Sequence, residues 1–179
     1  KSLVDIMGGT IDVHSCLGKG TEFVVELYVP LADTNSQPDG AEVSLDVLRN
    51  VKVLLVEDNE INIYVAQILL EKAGCEVVIA KNGKEAVDQF AASVIGDIKA
   101  ILMDVRMPIM DGLEATRHIR AMERADAARI PIIAMTAEAF DEERQKTLNA
   151  GMNYHLSKPI NPDLLYQVLV EQLHIGAQE

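Results

Sequence analysis

Val51-Lys52-Val53-Leu54-Leu55-Val56-Glu57-Asp58-Asn59 is the stretch on which the fold turns. Its first six residues are a nearly unbroken β-branched and aliphatic run. A run of this kind predicts a strand covered on both faces, the habit of parallel sheets. Behind it Ile61, Val65, Ile68, Leu69 and Lys72-Ala73 recur at helical spacing until Gly74 stops the pattern. The same rhythm continues outward. Glu76 to Ala80, Lys99 to Met103, Ile130 to Met135 and Asn153 to Leu156 predict four more strands, with helices from near Gly83, Asp111, Ala139 and Asn161. Strict alternation of strand and helix with short connections implies an α/β fold, a five-stranded parallel doubly wound sheet with right-handed crossovers. For the strand order 2-1-3-4-5, ligands gather beyond the carboxyl ends of the first and third strands.

Polar groups stand at those ends. Glu57-Asp58 follows the first strand, Asp104 the third, Thr136 the fourth and Lys158-Pro159 the fifth. Three carboxylates brought together repel one another and raise one another's pKa unless a cation joins them. Oxygen-only ligands that leave room for water favour Mg²⁺, with Mn²⁺ in its stead as a second choice. Asp104, alone on its strand end, is the candidate nucleophile, and Glu57 and Asp58 are the candidate metal holders. Lys158 offers a compact positive charge and Thr136 a hydroxyl donor to incoming phosphoryl oxygens. Phosphoryl transfer needs little beyond such positioning and charge neutralisation. The plainer reading is that Asp58 and Asp104 merely cap the helices that follow them. In that reading Thr136 is a packed strand end and Lys158 a solvated charge.

Composition narrows the classes. The 179 residues are 49% hydrophobic but only 4% aromatic, with no Trp, which argues against base-stacking or carbohydrate platforms. A formal charge of −12, from 28 acidic against 16 basic residues, repels a phosphate backbone and an anionic membrane alike. Neither nucleic-acid binding nor direct membrane contact is therefore expected. Cys16 and Cys75 lie far apart with no leader segment before them, the pattern of reduced thiols in the cytoplasm.

Residues 32–50 read as a linker, because Ala32 to Glu42 is polar, holds Pro38 and Gly40 and lacks periodicity. Before it, Ser2 to Met7 reads as a helix end stopped by Gly8-Gly9. Thr10 to His14 and Thr21 to Val29 then form a hairpin candidate turning through Gly18-Lys19-Gly20.

From Val51 to Leu173 the chain resembles the receiver domain of two-component response regulators and hybrid histidine kinases, a flavodoxin-like, CheY-like fold. The resemblance rests on Glu57-Asp58, Asp104, Thr136 and Lys158-Pro159 in order, with Met107-Pro108 and Met110-Asp111-Gly112 between. It implies that Asp104 is the phosphoacceptor, that Arg106 completes metal coordination through its backbone carbonyl, that Thr136 is a switch residue, and that Pro159 is cis. The family more often carries Asp at the position of Glu57, so the longer side chain is expected to reach the ion through water. Three residues before Lys158 the family usually carries Tyr or Phe. Here that position is His155, with Tyr154 displaced by one; the plain reading is an exposed His filling a tolerant site, and the sharper expectation is a weaker or pH-sensitive switch. Side chains at Arg106 and Glu138 are expected to border the acyl phosphate and shield it.

Partners implied by the resemblance are a histidine phosphotransfer protein or the phosphodonor domain of a histidine kinase. They would dock on a rim of Ile61, Ile63, Tyr64, Pro159 and Ile160, although these residues cannot all face out and some of them are expected to pack in the core. Residues 1–31 resemble the end of a histidine-kinase ATPase domain, in Leu3 to Ile11 and Gly18 to Phe23, and residues 51–174 would form the receiver. Neither an ATP-binding box nor a phosphorylatable His among His14, His118, His155 and His174 is recognised, so no ATP-dependent kinase activity is expected of this chain. Two other classes remain. An inert interaction module would keep the fold without the chemistry, against which the intact acid set counts. A haloacid-dehalogenase-like phosphatase needs two acids spaced two apart after the first strand, whereas Glu57-Asp58-Asn59-Glu60 lacks that spacing.

Overall fold

The computed structural model describes residues 9–16, 18, 20–26, 45–137 and 141–175, apart from the side chains of 141–143, 174 and 175. The chain divides into two compact units, Lys1–Ala41 and Glu42–Glu179. The expected helix end at Ser2 to Met7 and most of the expected linker lie outside the described residues.

In the first unit, β1 (Thr10–Cys16) and β2 (Gly20–Glu26) pair antiparallel as a hairpin. Ile11 stands opposite Val25 and Val13 opposite Phe23. Because side chains alternate across a strand, these four share one apolar face.

The second unit opens with a 3₁₀ turn, Leu45–Leu48, and then alternates without exception. It runs β3 (Lys52–Val56), α1 (Glu60–Lys72), β4 (Glu76–Ala80), α2 (Gly83–Ala92), β5 (Ile98–Asp104), α3 (Gly112–Arg120), β6 (Ile132–Thr136), α4 (Asp141–Ala150), β7 (Tyr154–Ser157) and α5 (Pro162–Ile175). The sheet is wholly parallel in the order β4-β3-β5-β6-β7, the expected 2-1-3-4-5. Alternate residues of the same strands feed two cores. Val53 and Leu55 of β3 pack with Leu102, Ile133, Leu165 and Leu169 on the face of α1 and α5. Leu54 and Val56 pack with Phe90, Ile101, Ile119 and Ile132 on the face of α2 and α3. This two-sided burial is why the strands read as continuous apolar runs.

The unit reaches further back than the boundary at residue 51 expected from sequence. Leu48, inside the stretch read as linker, is fully buried in the first of the two cores. Four residues of a 3₁₀ turn carry no periodicity that would distinguish them from a loop. Gly74 closes α1 as predicted, with φ of +87°, a conformation that Gly adopts without the strain a Cβ would bring.

No helix among the described residues is long and apolar enough to cross a membrane.

Candidate functional site

Register alone gathers the site. Val56 pairs with Met103, Asp104 with Met135 and Thr136 with Ser157, so β3, β5, β6 and β7 end side by side. One carboxylate oxygen from each of Glu57, Asp58 and Asp104 lies within 4.8 Å of the others. Lys158 Nζ bridges two of the three, donating to Glu57 Oε2 at 2.5 Å and to Asp104 Oδ2 at 2.8 Å. Asp104 Oδ1 accepts from the Arg106 N–H at 3.3 Å. Glu57 Oε1 accepts from the Asn59 N–H at 3.3 Å and from Asn62 Nδ2 at 3.0 Å. Glu57 and Asp104 are 1% and 7% exposed, while Asp58 is open to solvent.

The simple capping reading fails on this geometry. The caps are the neighbours instead: Asn59 accepts from the N–H groups of Ile61 and Asn62 at the start of α1, and Asp111 from that of Glu114 at the start of α3. Asp58 and Asp104 are thereby left to the sheet edge.

Burial pushes the Asp104 carboxyl above its ordinary pKa. The Lys158 hydrogen bond pulls the other way, and the charge of Glu57 adds to the rise. For Lys158, burial favours the neutral amine, but the hydrogen bonds to Asp104 and Glu57 outweigh it and leave its pKa raised. The ammonium is thus held charged between the two carboxylates.

Thr136 ends β6 and is 5% exposed; its carbonyl accepts from the Lys158 N–H at 2.7 Å. The Lys158–Pro159 bond is cis. The loop bearing Arg106 is pinned at its far end, where Gly112 donates its N–H to the Val105 carbonyl at 3.0 Å. A Cβ on Gly112 would stand 2.1 Å from the Asp104 carbonyl oxygen, so any larger residue there would push the helix off the strand end that carries Asp104. From the side, the Gly83 N–H holds the Met110 carbonyl at 3.0 Å.

His155 is half-buried on β7, and its ring stacks on Tyr154 with centroids 5.7 Å apart. Burial first, and then the charge of Arg144, lower its pKa. The rim divides: Ile61 and Tyr64 are 74% and 66% exposed, but Ile63 is 7% exposed and belongs to the core. Pro159 is exposed and Ile160 half-buried, and with Asn62, Val65 and Lys158 they line a recess of about 130 Å³. The expected shielding by Arg106 and Glu138 cannot be placed, since Glu138 lies outside the described residues. Asn62 was not anticipated from sequence. Its only signal was a second Asn three residues after the capping Asn59.

The family described as response regulator receiver domain matches residues 53–170. Over 145 residues, 80% of this chain, it is 41% identical to hybrid signal transduction histidine kinase I of Dictyostelium discoideum. Over 99% of this chain it is 32% identical to the autoinducer 2 sensor kinase/phosphatase LuxQ of Vibrio cholerae. The chain spans 8% and 20% of the length of those two relatives. Among solved structures, it resembles the receiver domain of sensor histidine kinase PA1611 from Pseudomonas aeruginosa, which has a magnesium ion coordinated in its active site cleft. That likeness has a TM-score of 0.64 and 39% identity, covering 70% of this chain and 98% of that one. It also resembles a chain in the Saccharomyces cerevisiae complex of the phosphotransfer protein Ypd1 with the receiver domain of Ssk1. There the TM-score is 0.65 and the identity 33%, covering 72% of this chain and 92% of that one.

Proposed function

The chain belongs to the response regulator receiver domain family of two-component phosphorelays, and on that premise we propose that Asp104 accepts a phosphoryl group from a phosphohistidine and passes it onward. The observation that carries this reading is Lys158 Nζ, 2.8 Å from Asp104 and 2.5 Å from Glu57 at the edge of a three-carboxylate cluster.

The donor set suits a divalent ion: hard oxygens only, three of them within 4.8 Å. Asp58, Asp104 and the Arg106 carbonyl would hold it directly. Glu57 has both oxygens engaged by Asn59, Asn62 and Lys158, so it would serve through water. When bound, Mg²⁺, or Mn²⁺ in its stead, neutralises the carboxylates and the incoming phosphoryl oxygens.

An Asp104 carboxylate oxygen attacks phosphorus; the new O–P bond forms as the N–P bond of the phosphohistidine breaks, and the released imidazole takes up a proton. Lys158 shifts its hydrogen bonds from the carboxylate to the phosphoryl oxygens, drawing the β7 end with it. Thr136 offers its hydroxyl to the same oxygens, and His155, on the neighbouring strand, stands where the switch side chain moves.

The partner we assign is a histidine phosphotransfer protein or a histidine-kinase phosphodonor domain, docking beside Ile61, Tyr64 and Pro159. The Ssk1 receiver complexed with Ypd1 supports a partner of that class. We read residues 1–31 as the end of a histidine-kinase ATPase domain, and the parent as a hybrid sensor kinase. The alignment with LuxQ over 99% of this chain supports that reading. An inert interaction module would have no use for a complete set of Asp58, Asp104, Thr136 and Lys158.

Acetyl phosphate or beryllofluoride with Mg²⁺ provides the test. Modification is expected at Asp104 in the wild type, and none in Asp104→Asn or in the presence of a chelator. Metal-independent modification, or modification elsewhere, refutes the proposal.

A further inference from the structure

Asn62 is exposed on the first turn of α1, yet its side chain turns back into the site. The helix has no need of it, because Asn59 carries the cap and accepts the N–H groups of both Ile61 and Asn62. Its amide Nδ2 instead donates to Glu57 Oε1 at 3.0 Å. Glu57 is 1% exposed, and its carboxylate turns about a soft terminal torsion that backbone geometry leaves broad. Holding Oε1 between the Asn59 N–H and Asn62 Nδ2 sets the plane of that carboxylate and so the direction of Oε2. Oε2 is the oxygen that takes Lys158 at 2.5 Å, and the same ammonium lies 2.8 Å from Asp104. An unbroken series of polar contacts therefore runs from Asn62 through Glu57 and Lys158 to the nucleophile.

Glu at position 57 is what allows this reach. An Asp there would be shorter by one methylene, about 1.5 Å, and would leave Asn62 with no carboxylate oxygen in range. The contact that draws Asn62 into the site is thus matched to the length of the Glu57 side chain.

We propose that Asn62 is a positioning residue for the acceptor site, orienting Glu57 so that Lys158 and the metal-bound water take fixed places. The proposal rests on the receiver reading above. Groups that orient the ligands of a metal site commonly alter its affinity by tenfold or more when removed, and Mg²⁺ tolerates little departure from octahedral geometry.

The test is a double-mutant cycle on the full chain, with Mg²⁺ alone as the titrant and calorimetry as the readout. Thermal melting accompanies each variant, and Asn62→Ala, at an exposed position off the cap, is expected to melt with the wild type. In the Glu57 protein, Asn62→Ala should weaken Mg²⁺ binding roughly tenfold. In a Glu57→Asp background the same substitution should change it less than about twofold, because the contact is already gone. Equal effects in the two backgrounds, or wild-type affinity in Asn62→Ala, overturn the inference and leave the receiver reading intact. A wild-type chain that takes up no Mg²⁺ overturns the receiver reading and this inference with it.

Discussion

As the proposed phosphoacceptor, Asp104 would answer two opposed demands, a buried place at the strand end and a negative charge for attack. Burial raises its pKa, and Lys158 only partly offsets the rise. A carboxyl whose pKa is higher in the folded than in the unfolded protein favours folding in its protonated form. That contribution is complete below the unfolded value and is lost as pH rises through the folded one. Asp104→Asn, which keeps the shape and removes the ionisation, should therefore raise the melting temperature by about 2–4 °C near pH 7.5. The gain should shrink toward zero as pH falls below the ordinary carboxylate range, where both proteins are neutral at this position. A melting temperature that falls, or a gain independent of pH, contradicts the account; differential scanning calorimetry across pH decides. The identity of Asp104 was legible in sequence because it closes an apolar run. That Lys158 would bridge it to Glu57 was not, since Lys158 and Glu57 are 101 positions apart.

At the scale of elements, α1 carries more apolar surface than one buried face explains. Ile63, Ala66 and Leu70 face the core, while Ile61, Tyr64, Val65 and Ile68 recur at i, i+3, i+4 and i+7 on the exposed side. A stripe of that spacing, with Ile61 and Tyr64 in it, is the face on which the phosphotransfer partner proposed above would dock. Ile61→Asp with Tyr64→Asp should slow phosphoryl transfer from a phosphohistidine protein by tenfold or more, by our reading of the rim as the docking face. It should leave modification by acetyl phosphate unchanged and shift stability by no more than about 0.5 kcal/mol, as exposed substitutions do. Equal slowing with both donors would place the defect in the site rather than in docking. Helical periodicity showed α1 in sequence and implied that some of the rim residues turn inward, without telling which. Which apolar residues turn inward depends on how the helix lies on the sheet, and that angle is a property of packing.

For the whole molecule, the divide between the two units falls at residues 41 and 42, and the second unit contains every residue of the site. A chain beginning at Glu42 should melt as the second unit does in the full protein and accept phosphoryl at Asp104 at the same rate. One beginning at Val51 loses the fully buried Leu48 and should be less stable by about 2–5 kcal/mol, the usual effect of emptying a large aliphatic site. Urea unfolding of the two truncated chains measures the difference; equal stabilities would show that the 3₁₀ turn contributes nothing. The sequence by itself determined the α/β rhythm and the polar residues at four strand ends, and its family resemblance implied the sheet order. Burial on both faces of a parallel sheet writes itself as unbroken apolar runs, and chemistry at the carboxyl edge writes itself as polar residues that close them. Tertiary structure alone decided that Leu48 belongs to the core, that Asn59 and Asp111 rather than Asp58 and Asp104 cap the helices, and that Asn62 and Lys158 meet on Glu57. These depend on the register between strands and on the path of a helix over the sheet, distances between residues far apart in the chain that no local periodicity encodes.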